Sequence, residues 1–319
     1  ECTMKILIVG AGAVARGLAN LIKNTLPEWE TSFFSSRSPR STYGDQICLH
    51  DAVAVAISNK DSGHEAADLI LEAAQNNLPV ITCEKGSLSE YFFAIKPYLK
   101  KIGYSATVGG GSGIIDLFER PGCGGVKRFK GIINGTLNFI ACRLEEKLEI
   151  PEAIRQAQEK HLCEPGSNSI VDIINTELLD AQRKAAILYN LAFHDSPIQG
   201  RTIVKASEFS RTLWHENGIM QLFAQKKRLV IAVFPRDERN QGIDFFKDQP
   251  CFWMHTAHHY IIGTFVHPDG HFKQLPYEED NCLQLEDWRG EFYMHGPGAG
   301  INPTASAMLC DLKKMLNVN

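Results

Sequence analysis

No apolar stretch in this chain approaches the ~20 residues that a membrane-spanning helix needs, and neither sign of charge forms a long run. With a net charge of only −4, neither a nucleic acid nor a membrane surface is expected as partner. C-x-x-C spacing is absent. The nine cysteines (Cys2, Cys48, Cys83, Cys123, Cys142, Cys163, Cys251, Cys282 and Cys310) are odd in number and scattered, several inside apolar segments. This argues against a disulfide frame or a zinc site, and for reduced, mostly buried thiols in a cytoplasmic protein. The opening residues ECTMK lack the charged and apolar regions of a secretory leader. Internal repeats and low-complexity tracts are missing too. What remains is ordinary globular composition, 44% hydrophobic and 22% charged, and 319 residues suffice for about two domains with a sizeable core.

Residues 5–22, KILIVGAGAVARGLANLI, carry the strongest local signal. An apolar run ending at Val9 meets Gly10-Ala-Gly12-Ala-Val-Ala15 and continues as an amphipathic helix. Gly10 allows a tight turn, Gly12 lets a diphosphate approach the backbone, and Ala15 keeps helix and strand close. Ala13 and Val14 open the helix. A plain strand–helix turn can carry the same glycines. The strand-before, helix-after context favours dinucleotide binding.

Strand-like and helix-like segments alternate through the first ~130 residues at a spacing that suits parallel β-α-β units. Expected strands are 6–9, 31–35, 52–57, 79–82 and 104–108. Expected helices follow Gly12 and span His64–Ala74, and another reaches about Lys100 behind a Ser87/Glu90 capping box. Residues 136–226 read as mostly helical, over 137–148, 152–159, 177–192 and 208–223. From Arg228 to Tyr293 strand-like segments recur, among them 229–234 and 260–266. Gly296-Pro-Gly-Ala-Gly300 then precedes a helix with Pro303 in its first turn. The fold class expected is α/β: a Rossmann-type doubly wound parallel sheet with an inserted α+β domain. Residues 1–134 plus 297–319 are expected to form the nucleotide domain, and 135–296 a separate domain inserted into it.

Charge around the second strand bears on the cofactor. A carboxylate there would hold a ribose 2′-hydroxyl, whereas the chain reads Ser35-Ser36-Arg37 with Arg40 nearby. Hydroxyls and guanidinium favour a 2′-phosphate, so NADP is expected over NAD, NAD remaining possible. Ser58, after the apolar run, joins Gly10, Gly12, Ala13, Val14, Ser36 and Arg37 as an expected cofactor contact, and so do Gly298 and Gly300 where the second glycine-rich loop is another anion-facing helix start rather than a linker back to the first domain. His255-x-x-His258-His259 lacks a nearby cysteine or acid to complete a metal set, and no metal is expected.

Several segments together resemble homoserine dehydrogenase in its short form, without aspartokinase or regulatory domains. They are GAGAVA at 10–15, VITCEKG at 80–86, SATVGGG at 105–111, GIINGTLNFI at 131–140, CEP at 163–165, LDAQRKAAIL at 179–188 and GPGAGINPTASA at 296–307. The resemblance implies NAD(P)H-dependent reduction of L-aspartate 4-semialdehyde to L-homoserine, an amino-acid substrate, and a homodimer formed through the substrate domain. It places catalytic lysines at Lys85 and Lys184, acids that hold the substrate's amino group at Glu164 and Asp180, and the substrate-side turn at Gly135 and Thr136. A lysine suits this chemistry because its charge stabilises a developing alkoxide and it can donate a proton.

The chain departs from the family pattern in places. His161-Leu162 stand where Gly-Tyr is common, Cys83-Glu84 replace Ala-Asn, and Ser112-Gly113 replace Ile-Pro. Asn175 stands where counting back from Asp180 reaches a second aspartate. Ser105 replaces a glutamate that lies beside a monovalent-cation site. Two alternatives therefore stand beside the main reading. One is a same-fold dehydrogenase acting on a related amino-acid aldehyde or oxo acid, and the other is a non-enzymatic NADP(H) sensor.

Overall fold

Strand β1, Lys5–Val9, is buried from Ile6 to Val9, and full burial of such a side chain is worth about 1.5–3 kcal/mol. It runs parallel to β2, Glu30–Phe34, on one side and to β3, Ala52–Val55, on the other. The computed structural model describes residues 3–35, 38–39, 41–57, 62–119, 125–163, 169–194, 203–238, 250–267 and 276–318. They divide into two compact units, Glu1–Gly111 with Ile301–Asn319, and Ser112–Gly300.

In the first unit α1, Ala13–Thr25, joins β1 to β2, and α2, Ser41–Ile47, precedes β3. Helix α3, His64–Gln75, leads to β4, Val80–Thr82; the short helices α4, Lys85–Glu90, and α5, Phe92–Ile95, lead on to β5, Ile102–Gly103. The sheet order is β2-β1-β3-β4-β5, all parallel. Strand order reverses beside β1, and its carboxyl end is the switch point at which sheets of this kind take ligands.

Two expectations in this unit need correction. The helix after β4 is not opened by a Ser87/Glu90 box. It starts at Lys85, with Glu84 as N-cap accepting from the Gly86 and Ser87 N–H groups at 2.9 and 2.6 Å, and a 3-10 turn over Lys96–Lys101 replaces its expected end. The 104–108 segment is not a strand. β5 stops at Gly103, and Ser105–Thr107 forms a 3-10 turn. The cause is distant in sequence. Asp311 accepts from Ser105 N at 2.8 Å and from Ser105 Oγ at 2.6 Å, which takes the backbone out of the ladder.

The second unit contains α6, Ile114–Glu119; β6, Arg128–Ile132; α7, Gly135–Glu145; α8, Ile150–Glu159; and α9, Ile170–Phe193. Then come β7, Ser210–Arg211; α10, Glu216–Ala224; β8, Arg228–Pro235; β9, Phe252–His255; β10, His259–Val266; β11, Asp280–Asp287; and β12, Gly290–Pro297. Its strands form one antiparallel sheet in the order β12-β11-β6-β8-β10-β9-β7. Because β6 pairs with β11 and β8, residues from Ser112 onward belong here, and the division falls ahead of the 134/135 boundary read from sequence. Helix α9 begins at Ile170, not near 177. Ser169 caps it, accepting from Asp172 N at 3.4 Å, and Ile170, Ile173 and Ile174 bury an added apolar face. α10 covers only the last part of the expected 208–223 helix.

The chain completes the first unit with α11, Ile301–Met315, which carries Pro303 in its first turn. Met308 and Leu312 of α11 join Ile6, Ile8, Leu18 and Ile22 in one buried cluster.

Candidate active site

Gly10 and Gly12 are glycines for different reasons. Gly10 has φ +117°, and a Cβ there would overlap the Ala56 carbonyl, so the strand packing itself demands glycine. A Cβ on Gly12 would meet nothing within 4 Å. Gly12 is the N-cap of α1 yet supplies no side-chain cap, and Gly12 and Ala13 are exposed with Val14 partly so. An exposed helix N-terminus with an open glycine, at a switch point, has the donor set and the room that a diphosphate requires.

Lys85 is the first residue of α4, directly after β4, and is partly exposed. Its loop is tightly fixed. Glu84 is buried as N-cap, its own N–H donates to Thr82 Oγ1 at 3.0 Å, and a Cβ on left-handed Gly63 would overlap the Gly86–Ser87 backbone. Burial pushes the neighbouring Cys83 thiol up to about 11, which Lys85 only partly offsets. Cys83 is therefore a protonated thiol at neutral pH, unsuited to nucleophilic attack.

In the second unit Asp180 and Lys184 share one face of α9, one turn apart. Lys184 is only 7% exposed. Its Nζ lies 2.8 Å from Asp180 Oδ2 and donates to the carbonyl of Ile133 at 2.9 Å. That carbonyl stands between the end of β6 and the Asn134-Gly135-Thr136 turn. Gly135 opens α7 so close to the chain that a Cβ would lie 2.5 Å from the Glu279 carbonyl oxygen. Thr136 Oγ1 donates to the carbonyl of Leu162 at 2.8 Å, which keeps the hydroxyl's acceptor side available. The structure thus brings Asp180, Lys184 and the 134–136 turn together.

Gly298 follows β12 and donates its N–H to the Glu279 carbonyl at 3.2 Å; a Cβ there would overlap the Asn281 side chain. Asn281 is fully buried, and neither of its amide atoms has a partner among the described residues. Gly300 has φ +113°. Ser36, Arg37, Ser58 and Glu164 lie outside the described residues. His259 is buried against Phe193, with ring centroids 4.1 Å apart, and burial pushes it down to about 4, so it is a neutral core histidine.

The model of the family described as homoserine dehydrogenase matches residues 121–312, well over half of the chain. The chain belongs to the homoserine dehydrogenase family. Members of this family are NAD(P)-dependent oxidoreductases acting on small molecules. The homoserine dehydrogenase of Synechocystis sp. is 24% identical over 340 residues, covering 99% of this chain and 74% of that protein. The solved homoserine dehydrogenase of Thermoplasma acidophilum superposes with a TM-score of 0.71 at 18% identity, covering 99% of this chain and 100% of that one. A hyperthermophilic archaeal homoserine dehydrogenase solved in complex with NADPH gives 0.62 at 18% identity, covering 100% and 99%. These likenesses bear out the expected fold class. Among the described residues, no helix is long and apolar enough to cross a membrane.

Within this homoserine dehydrogenase-family chain, sequence reasoning passed over Asn134 and Glu177. Asn134 Nδ2 donates to Glu177 Oε2 at 2.8 Å and to Asp180 Oδ2 at 3.2 Å. An asparagine just before a helix start does signal an N-cap. Its second task, joining residues 43 and 46 positions away, leaves no mark in local pattern.

Proposed function

We propose that this protein catalyses NADP-dependent reduction of L-aspartate 4-semialdehyde to L-homoserine. The observation that carries the reading is the buried Lys184 ammonium, paired with Asp180 and seated on the Ile133 carbonyl beside the 134–136 turn. Aldehyde reduction needs a hydride at carbon and a proton at oxygen. The nicotinamide cofactor, when bound, supplies the hydride. Lys184 stabilises the charge developing on the aldehyde oxygen and delivers the proton to it. A buried ammonium is worth more there than in water, because the surrounding dielectric screens it less.

Asp180 and Glu164 are assigned to the substrate's ammonium group, and Gly135 and Thr136 to the turn on the substrate side. Lys85 is the second candidate for carbonyl polarisation. Gly10, Gly12, Ala13 and Val14 are assigned to the cofactor diphosphate, and the open Gly12 supports this. Ser36 and Arg37 are assigned to the 2′-phosphate, and Ser58, Gly298 and Gly300 complete the cofactor contacts. A cytoplasmic homodimer is the expected setting, with the first unit binding the cofactor and the second binding the substrate.

The test mixes the protein with NADPH and aspartate semialdehyde and follows loss of reduced-cofactor absorbance. Turnover that collapses in Lys184→Ala and Lys85→Ala, while NADPH still binds, is the expected result. Oxidation with another amino-acid aldehyde but not this one moves the assignment to a same-fold relative. NADPH binding without oxidation across an aldehyde panel overturns the enzyme reading in favour of a sensor. Arg37→Asp is expected to weaken NADPH far more than NADH.

A further inference from the structure

Asn134 is 2% exposed and spends both ends of its amide. The oxygen accepts from Leu137 N–H at 2.8 Å and so caps α7. The nitrogen donates to Glu177 Oε2 at 2.8 Å, Asp180 Oδ2 at 3.2 Å and the Glu177 carbonyl at 3.3 Å. Carboxylates three apart on a helix face repel one another, and here they converge on one donor group. The oxygen that receives the Asn134 amide is the same Asp180 Oδ2 that pairs with Lys184. Asp180 is thus held between a neutral donor and a cationic one, and its rotamer fixes where the ammonium sits.

We infer that Asn134 is a positioning residue for the reaction proposed above. Its amide hydrogens hold Glu177 and Asp180 side by side, and through Asp180 they aim the Lys184 ammonium. This rests on the assignment of Asp180 and Lys184 to that reduction. It also separates two jobs of one side chain, since capping uses only the oxygen and carboxylate positioning only the nitrogen.

Asn134→Ser keeps an N-cap oxygen but cannot reach the carboxylates with a donor. Asn134→Asp keeps shape and cap, and places a third carboxylate beside the other two. The full-length variants are compared with wild type by thermal melting and by separate saturation with NADPH and with aspartate semialdehyde. The expected result is a Ser variant that melts near wild type, with KM for NADPH unchanged within about twofold. Its kcat/KM for the aldehyde falls roughly 10- to 100-fold, the scale on which a small misplacement of a reacting group acts. The Asp variant loses at least as much. A Ser variant with wild-type kinetics toward the aldehyde overturns the inference, as does one that loses NADPH saturation and melting temperature in parallel. Wild-type protein that oxidises no NADPH with this aldehyde overturns the proposed reaction and this role with it; wild-type turnover with an unaffected Ser variant overturns only the role.

Discussion

Lys184 donates from Nζ to the carbonyl oxygen of Ile133 across 2.9 Å, although the two residues are 51 positions apart. The bond ties the middle of α9 to the end of β6 and keeps the ammonium head from swinging out to solvent. Lys184→Met retains the apolar stem and deletes the charge. The expected outcome is a fall in kcat on the order of 10²–10⁴, the range for losing a general acid, with NADPH binding intact. Steady-state kinetics beside a cofactor titration checks both halves.

The two glycines of the first turn should respond oppositely to the same change. Gly10→Ala forces a side chain into a φ of +117° and onto the Ala56 carbonyl, so a loss of about 2 kcal/mol or more is expected. Gly12→Ala meets no neighbour and should fold normally, yet weaken NADPH by crowding the diphosphate. Paired melting curves and NADPH affinities measure this. A Gly12→Ala protein that binds NADPH normally counts against the cofactor assignment.

Asp311 holds both the N–H and the hydroxyl of Ser105, and its flank leaves room only for glycine at Gly103, where a Cβ would lie 2.5 Å from the Asp311 Cβ. Asp311→Ala removes two charge-assisted hydrogen bonds, and a loss of about 2–4 kcal/mol is expected. Asp311→Asn keeps an acceptor and should lose less. Urea denaturation of wild type and both variants ranks them; an Asp311→Asn midpoint equal to that of wild type would show that the charge contributes nothing.

His259 gives the protein a defined acid sensitivity. Burial holds it neutral, down at about 4, against ~6.5 in an unfolded chain. Between these values the unfolded state binds the extra proton, so stability falls as pH drops from about 6.5 toward 4 and is recovered above that window. His259→Phe keeps an aromatic ring against Phe193 and removes the proton site. Its urea midpoint should fall less than that of wild type between pH 7.5 and 5.0; identical slopes would exclude His259 as the source.

Sequence pattern exposed those parts of the fold in which neighbouring residues decide the outcome. β1, its glycine turn and α1 were legible because an apolar run meets a glycine pair and then a helical period. β8 and β10 were legible as long β-branched and aromatic stretches. The expected strand at 104–108 failed because its backbone donor is claimed by Asp311, 206 residues away. The start of α9 was missed because its cap, Ser169, sits in a polar stretch with no apolar period before it. Lys184 and Asp180 were visible as a motif on a helix. Asn134 and Glu177 were not, since the amide that joins them spans 43 positions.

The first unit draws its strands from residues 5–103 but closes its core with Met308 and Leu312 of α11. During synthesis, all five parallel strands therefore leave the ribosome before the helix that covers them. The whole antiparallel sheet, through Pro297, is translated in that interval. The later-made unit has its full complement of residues first. The nucleotide-turn unit must wait with Ile6 and Ile8 incompletely covered, which makes the interval before α11 emerges the chain's period of greatest exposure to aggregation and to chaperone capture.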